Sequence, residues 1–326
     1  MRPDHTWHRP MLACAGLMLV MSVASAVGLL VDDRLVAGAP AWLKPFKFAV
    51  SFTVYAFSWA WLVSLLRTRR RLVHTISTLV VVVILVEYAV ITLQAARGTR
   101  SHFNVATPLD KALFSVMGVS ITALWTGTLV LTLFLLRTRI DDAANRWGVR
   151  FGAVLSLIGL ALGGLMVVPT PHQAATLGTD AFDGLIGAHS VGVPDGGPGL
   201  PLTGWSTVGG DLRIPHFVGM HALQALPLVV VILVLLSRRY ARLRDDAVRG
   251  RLVIVAGLAY AGALALVTWQ ALRGQPLIAP DGLTLTALGG LVVATALGTV
   301  RALRPTASVP SSPPAHPVDQ EAFSRP

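Results

Sequence analysis

The sequence is short of several things at once. Charged residues fill 13% of its 326 positions, about half the share of an ordinary soluble domain. Acids are scarce, with 16 Asp and Glu against 27 Lys and Arg, and only three of those bases are lysines. Cys14 is the one cysteine, so no intramolecular disulfide and no thiolate metal cage can form. No CxxC, HExxH, phosphate loop or Ser-His-Asp order is present. A disulfide scaffold and a disordered chain are excluded, and a soluble two-domain enzyme fits poorly. The net charge of +11 invites a nucleic-acid reading. The bases sit in short clusters between apolar runs, however, so no nucleic-acid partner is expected.

What is there is apolar: 54% of the residues. Eight runs approach the roughly 20 residues that a transmembrane helix needs: 11–31, 46–66, 72–94, 112–136, 151–169, 214–236, 252–272 and 283–300. The expected fold is an all-α polytopic bundle of about eight transmembrane helices, with the lipid bilayer as its partner. With the N-terminus taken as cytoplasmic, 19 of the 27 basic residues fall on the cytoplasmic side, as the positive-inside rule requires. Both termini are then cytoplasmic. A rival reading cleaves the chain after Ala24-Ser25-Ala26, although the apolar run continues to Val31. The Pro- and Ser-rich tail 304–326 reads as disordered, with Pro310–Pro314 as a weak proline motif. His5, His8 and His316 near the termini read as solvated, and His74 as interfacial.

Two octets match: Ile-Thr-Leu-Gln-Ala-Ala-Arg-Gly at 91–98 and Val-Thr-Trp-Gln-Ala-Leu-Arg-Gly at 267–274. Pro45 and Pro215 each precede a span, 170 residues apart. This suggests two four-helix units, 1–150 and 151–303. An even number of spans per unit makes the repeat parallel. The spacings Ala24/Gly28, Gly159/Gly163 and Gly290/Ala294/Gly298 suit close helix packing. The second unit carries a long outer segment, 170–213, with ten glycines. Such a segment is functional or disordered, and a lid over the outer face is one reading.

The polar content gathers at the outer side. Glu87 is the only carboxylate inside an expected span, about 10 Å below the outer surface at 1.5 Å per residue, and such a group normally has an interior partner. Ser51 and His221 lie at about the same depth and are equivalent in the repeat alignment. Helical spacing adds Lys47 and Tyr55 to the Ser51 face, Gln94 to that of Glu87 and Gln224 to that of His221. The loops above contribute Arg97, Asp110 and Arg213. Glu87, His221, Ser51, Tyr55, Gln94, Gln224, Arg97 and Arg213 are the candidate ligand-binding residues. The structural readings are a Glu87 bonded to a Tyr or Thr, an interhelical His221, and Gln94 and Arg97 as helix-end anchors.

Trp42 through Phe48, Gln94 through Asn104 and Gly209 through Leu228 resemble a group of bacterial multi-pass membrane proteins with no assigned activity. The resemblance covers about a quarter of the chain. It implies a bacterial cytoplasmic-membrane setting, consistent with 24 arginines and much Ala, Gly and Val, but no reaction. The leading expectation is an outer-facing pocket for a small solute, with proton-linked transport through Glu87 and His221. The alternatives are a metal or haem protein using His102, His216, His221 and Asp211, and an assembly or sensory protein that binds a partner through 170–213.

Overall fold

The computed structural model describes residues 7–66 and 69–304. Its long helices are α1 (Arg9–Val31), α2 (Leu43–Ser64), α3 (Arg70–Ala96), α4 (Pro108–Arg137), α5 (Ala143–Leu162), α9 (Asp246–Leu272) and α10 (Gly282–Ala302). Shorter ones are α6 (Pro171–Thr176), α7 (Arg213–Met220) and α8 (Ala222–Leu236), and a 3₁₀ turn, Gly163–Val167, extends α5. Seven helices are long and apolar enough to cross a membrane, or eight if α7 and α8 form one bent span. They are compatible with an integral membrane protein. The tail beyond Arg304, with His316 and the proline motif, lies outside the described residues, as does His5.

Side-chain caps set where several helices start. Thr107 accepts from Asp110 N ahead of Pro108, Asp142 from Asn145 N, and Asp281 from Thr284 N. Each satisfies a backbone donor that the first turn leaves free. Because Asp142 and Asp245 supply caps, α5 and α9 begin earlier than the apolar runs do. Their first turns therefore carry Arg146 and Arg249 in helical register. His8, expected to be solvated, is 1% exposed. Its Nδ1 caps α1 by accepting from Met11 N, and its ring lies 4.8 Å from that of His74.

The expected span 214–236 is not one straight helix. It is broken at His221, and α7 and α8 are bent by 46°. A bend frees carbonyls, which in an apolar setting must find donors. Tyr260 Oη donates to Val218 O at 2.6 Å and Ser156 Oγ to Met220 O at 3.0 Å. The bend brings the α7 backbone against α5. A Cβ on Gly159 would stand 2.2 Å from Met220 N, and one on Gly219 2.4 Å from Gly159 Cα.

A large core cluster ties α1, α2, α3 and α4 together around Trp59, Met18 and Ile84 and reaches Val149 and Ala153 of α5. A smaller one joins α5, α8 and α9 around Leu155, Ala222, Leu226 and Leu264. α10 is peripheral, with Leu283, Val292, Leu297 and Val300 each more than half exposed.

The two matching octets build matching corners. Gly98 and Gly274 both take a left-handed backbone, φ +69° and +71°, which glycine adopts without a Cβ clash. Gln94 Nε2 donates to Arg100 O and Gln270 Nε2 to Pro276 O, six residues on in each case. Arg97 pairs with Asp110 at the start of α4, and Arg273 with Asp281 at the start of α10.

The 170–213 segment is ordered by its own bonds. Thr170 and Gln173 form a capping box on α6. Strand β3 (Ser190–Val191) pairs antiparallel with β4 (Gly210–Asp211). A second short hairpin, β1 (Leu35–Val36) with β2 (Ala39–Pro40), joins α1 to α2, so the chain is not purely helical. The segment also crosses onto the first half. Val105 N donates to Gly184 O, Ile186 N to Phe103 O, and Lys47 Nζ to Thr203 O.

Candidate functional site

The polar groups meet at the end of the bundle that holds the 97–107 loop and the 170–213 segment. Lys44 and Lys47 sit in the first two turns of α2, and Glu87 sits on α3. Arg100 and His102 come from the 97–107 loop, His189 and Asp195 from the long segment, and Arg213 and His216 from α7. Lys44 is the hub. It lies within electrostatic reach of Lys47, Arg213, Arg100 and Asp195. Its charge in turn acts on Glu87, His102 and His189. Residues more than 140 positions apart are thus gathered around one ammonium.

Most of these groups have fixed partners. Asp211 is held by Arg213, with Arg213 Nε donating to Oδ1 at 2.9 Å, and accepts from Ser206 N at 2.8 Å. Asp195 accepts from His189 Nδ1 at 2.9 Å and from the His189 and Ser190 backbone. Burial pushes the Asp195 carboxyl up, but these donors win and hold it below the ordinary carboxylate range. Burial holds the His189 ring below its ordinary value despite the pull of Asp195. It holds His102 well below its own, helped by Lys44, His189 and His216. Both rings are therefore neutral at neutral pH. Lys47 has one neutral partner, Thr203 O at 2.9 Å.

Two groups stand apart. Glu87 is 3% exposed, and its Oε1 is buried with no hydrogen-bond partner. Lys44 is half-buried, and its Nζ makes no hydrogen bond or ion pair among the described residues. A buried acceptor left unmet costs about 1–3 kcal/mol, more for a charged group, so native structures seldom keep one without use.

The other candidates from the sequence are dispersed around this centre. Ser51 is half-buried on α2 and makes no hydrogen bond there. Tyr55 Oη shares a 3.1 Å bond with Thr128. Gln94 and Arg97 are engaged together in the first corner, where Gln94 Nε2 donates to Asp110 at 2.8 Å and Arg97 to the same carboxylate at 2.7 Å. His221, at the bend, bonds Gln224 at 3.2 Å, and Gln224 reaches Ser58 of α2 at 3.3 Å. The charge acting on Glu87 is thus Lys44, while His221 is tied to Gln224. His216 Nδ1 is committed to Gly159 O at 2.8 Å. His102 Nδ1 shares a 3.0 Å bond with Ser101. Among the described residues no three His, Cys, Asp or Glu side chains converge as a metal-ligand set.

Sequence reasoning did not single out Lys44, Arg100, His189 or Asp195. Lys44 lies at the start of a helix, and the other three lie in segments without periodicity. Only the chain's path over the bundle brings Arg100, His189 and Asp195 within reach of Lys44. No family model, curated protein or solved structure matches the chain.

Proposed function

We propose that this chain is an eight-span protein of the bacterial cytoplasmic membrane that binds a small solute from outside, in the service of proton-linked transport. The observation that carries the reading is the buried Glu87 carboxyl, whose Oε1 has no hydrogen-bond partner, with an unpaired Lys44 near enough for its charge to act on it. A soluble or lipid-facing surface has no use for such a pair. A chamber filled by a polar ligand does.

The orientation rests on the arginines, which crowd the end opposite the chamber: Arg70, Arg71, Arg139, Arg146, Arg238 and Arg242 among them. Both termini are then cytoplasmic and the chamber faces out. The paired corners at Gly98 and Gly274 support a duplication into two four-helix units, 1–150 and 151–303.

Cysteine accessibility tests the pocket. In a Cys14→Ser background, Ser51→Cys reacts with a membrane-impermeant thiol reagent added to intact cells. Ala241→Cys, near the arginine-rich end, reacts only after permeabilisation. An unreactive Ser51→Cys, or Ala241→Cys labelled from outside, defeats the reading.

A further inference from the structure

Resting on the outward pocket proposed above, we infer that residues 199–206 form a strap closed over an anion site made by Lys47 and Arg213. A small solute bearing a carboxylate or phosphate opens it by taking the strap's place.

The strap is a hairpin with bonds of its own. Gly199 and Ser206 meet in an antiparallel bridge. Leu200 N donates to Trp205 O and Gly204 N to Leu200 O, both at 2.8 Å. Its base is fixed, since Thr207 N donates to Pro198 O at 3.1 Å and Ser206 N to Asp211 at 2.8 Å. The tip is held differently. Among the described residues, 200–205 make two hydrogen bonds outside the hairpin. Lys47 Nζ of α2 donates to Thr203 O at 2.9 Å, and Arg213 Nη2 of α7 donates to Gly204 O at 2.5 Å. The Trp205 ring, 5.6 Å from that of Phe217, is a third tie.

Two cations from distant parts of the chain thus converge on the oxygens of consecutive peptide units. Each spends its donor on a neutral acceptor. An oxyanion in the same place would add Coulomb attraction to the hydrogen bond. Arg213 is already matched by Asp211, whose side chain is 0% exposed. The net charge left at the strap is therefore that of Lys47, which has no carboxylate partner among the described residues. A cation would be repelled there. A neutral solute would only replace what the carbonyls already supply. An anion gains over them, and a ligand shifts such an equilibrium only by that difference. The closed tip also carries strain. Leu202 has φ +63°, a left-handed backbone that is unfavourable for a residue with a side chain. That side chain is 77% exposed, so packing does not offset the cost.

Pulsed electron paramagnetic resonance on the full chain tests the strap. In a Cys14→Ser background, spin labels go on Leu202→Cys at the tip and on Leu109→Cys in the first turn of α4, both exposed positions. Distances are measured in phosphatidylcholine nanodiscs with choline chloride, sodium acetate, inorganic phosphate or methylammonium chloride at one ionic strength. Acetate or phosphate is expected to populate a second distance, raising its share over the first about tenfold above the choline chloride level, and methylammonium is not. Lys47→Gln should lose this response and Lys47→Arg should keep it, which separates loss of the cation from a folding defect. A Lys47→Gln variant that responds as fully as the parent overturns the assignment. So does a second distance that appears without added anion in phosphatidylglycerol discs alone, because the acidic group is then a lipid headgroup. One unchanged distance in every condition, with Ser51→Cys reactive from outside, overturns the strap and leaves the pocket standing. If Ser51→Cys is unreactive as well, both readings fall.

Discussion

Glu87 makes the clearest statement at the scale of single residues. Its Oε1 has no partner, so in the empty protein the carboxyl is a cost rather than a support. Glu87→Met should therefore raise the melting temperature, by an amount corresponding to about 1–3 kcal/mol, while abolishing ligand binding. A drop in melting temperature would mean that the carboxyl is a structural acceptor. His102 gives a prediction of the opposite kind. Its folded-state pKa lies well below its ordinary value of 6.5 because of burial first and Lys44 second. Below pH 6.5 the unfolded chain takes up the proton and the folded chain does not, so stability is full above that pH and falls as pH drops beneath it. His189 acts in the same direction. Melting curves between pH 8 and pH 5 should show this decline, and His102→Leu should make it shallower. A wild-type profile that is flat below pH 6.5 would contradict the assignment.

At the scale of elements, α5 against α7 is the tightest contact. Gly159 and Gly219 let two backbones touch, and Ser156 and Tyr260 supply the donors that the bend between α7 and α8 requires. Gly159→Ala should be severely destabilising, on the order of 3 kcal/mol or more, because its methyl would strike backbone rather than a movable side chain. Gly298→Ala, whose Cβ would meet only Val255 side-chain carbons at 3.2 and 3.3 Å, should cost less than about 1 kcal/mol. Thermal unfolding of the two variants side by side in the same detergent makes the comparison, and equal losses would contradict it. The bend itself was not legible in the sequence. Residues 214–236 are evenly apolar, and Pro215 and Pro227 are tolerated in membrane helices when neighbours re-satisfy the backbone. Those neighbours, Ser156 and Tyr260, lie on other helices.

Across the whole molecule, the sequence was readable where the signal is local. Apolar runs located every long helix, and the matching octets marked two corners that close in the same way. The site was readable only in part. Glu87 stood out because one carboxylate in an apolar run is conspicuous. Lys44, Arg100, His189 and Asp195 did not, because their meaning comes from contacts spanning some 140 residues of chain. The 170–213 segment is the extreme case. Its length and glycines left it as functional or disordered, with a lid as one reading, and its place was not legible: Gly184 and Thr203 bond to Val105 and Lys47 of the first half.

That crossing has a consequence for how the protein is made. Synthesis delivers α1 to α4 first, and with them Lys44 and Glu87, but His189, Asp195 and Arg213 emerge only later. A nascent chain therefore holds Lys44 and Glu87 before the groups that come to lie around Lys44 have been made. The site comes into being late and all at once, when residues near 213 settle over helices already in place. Under the proposed function, recognition of a ligand then doubles as a sign that the second half has docked onto the first.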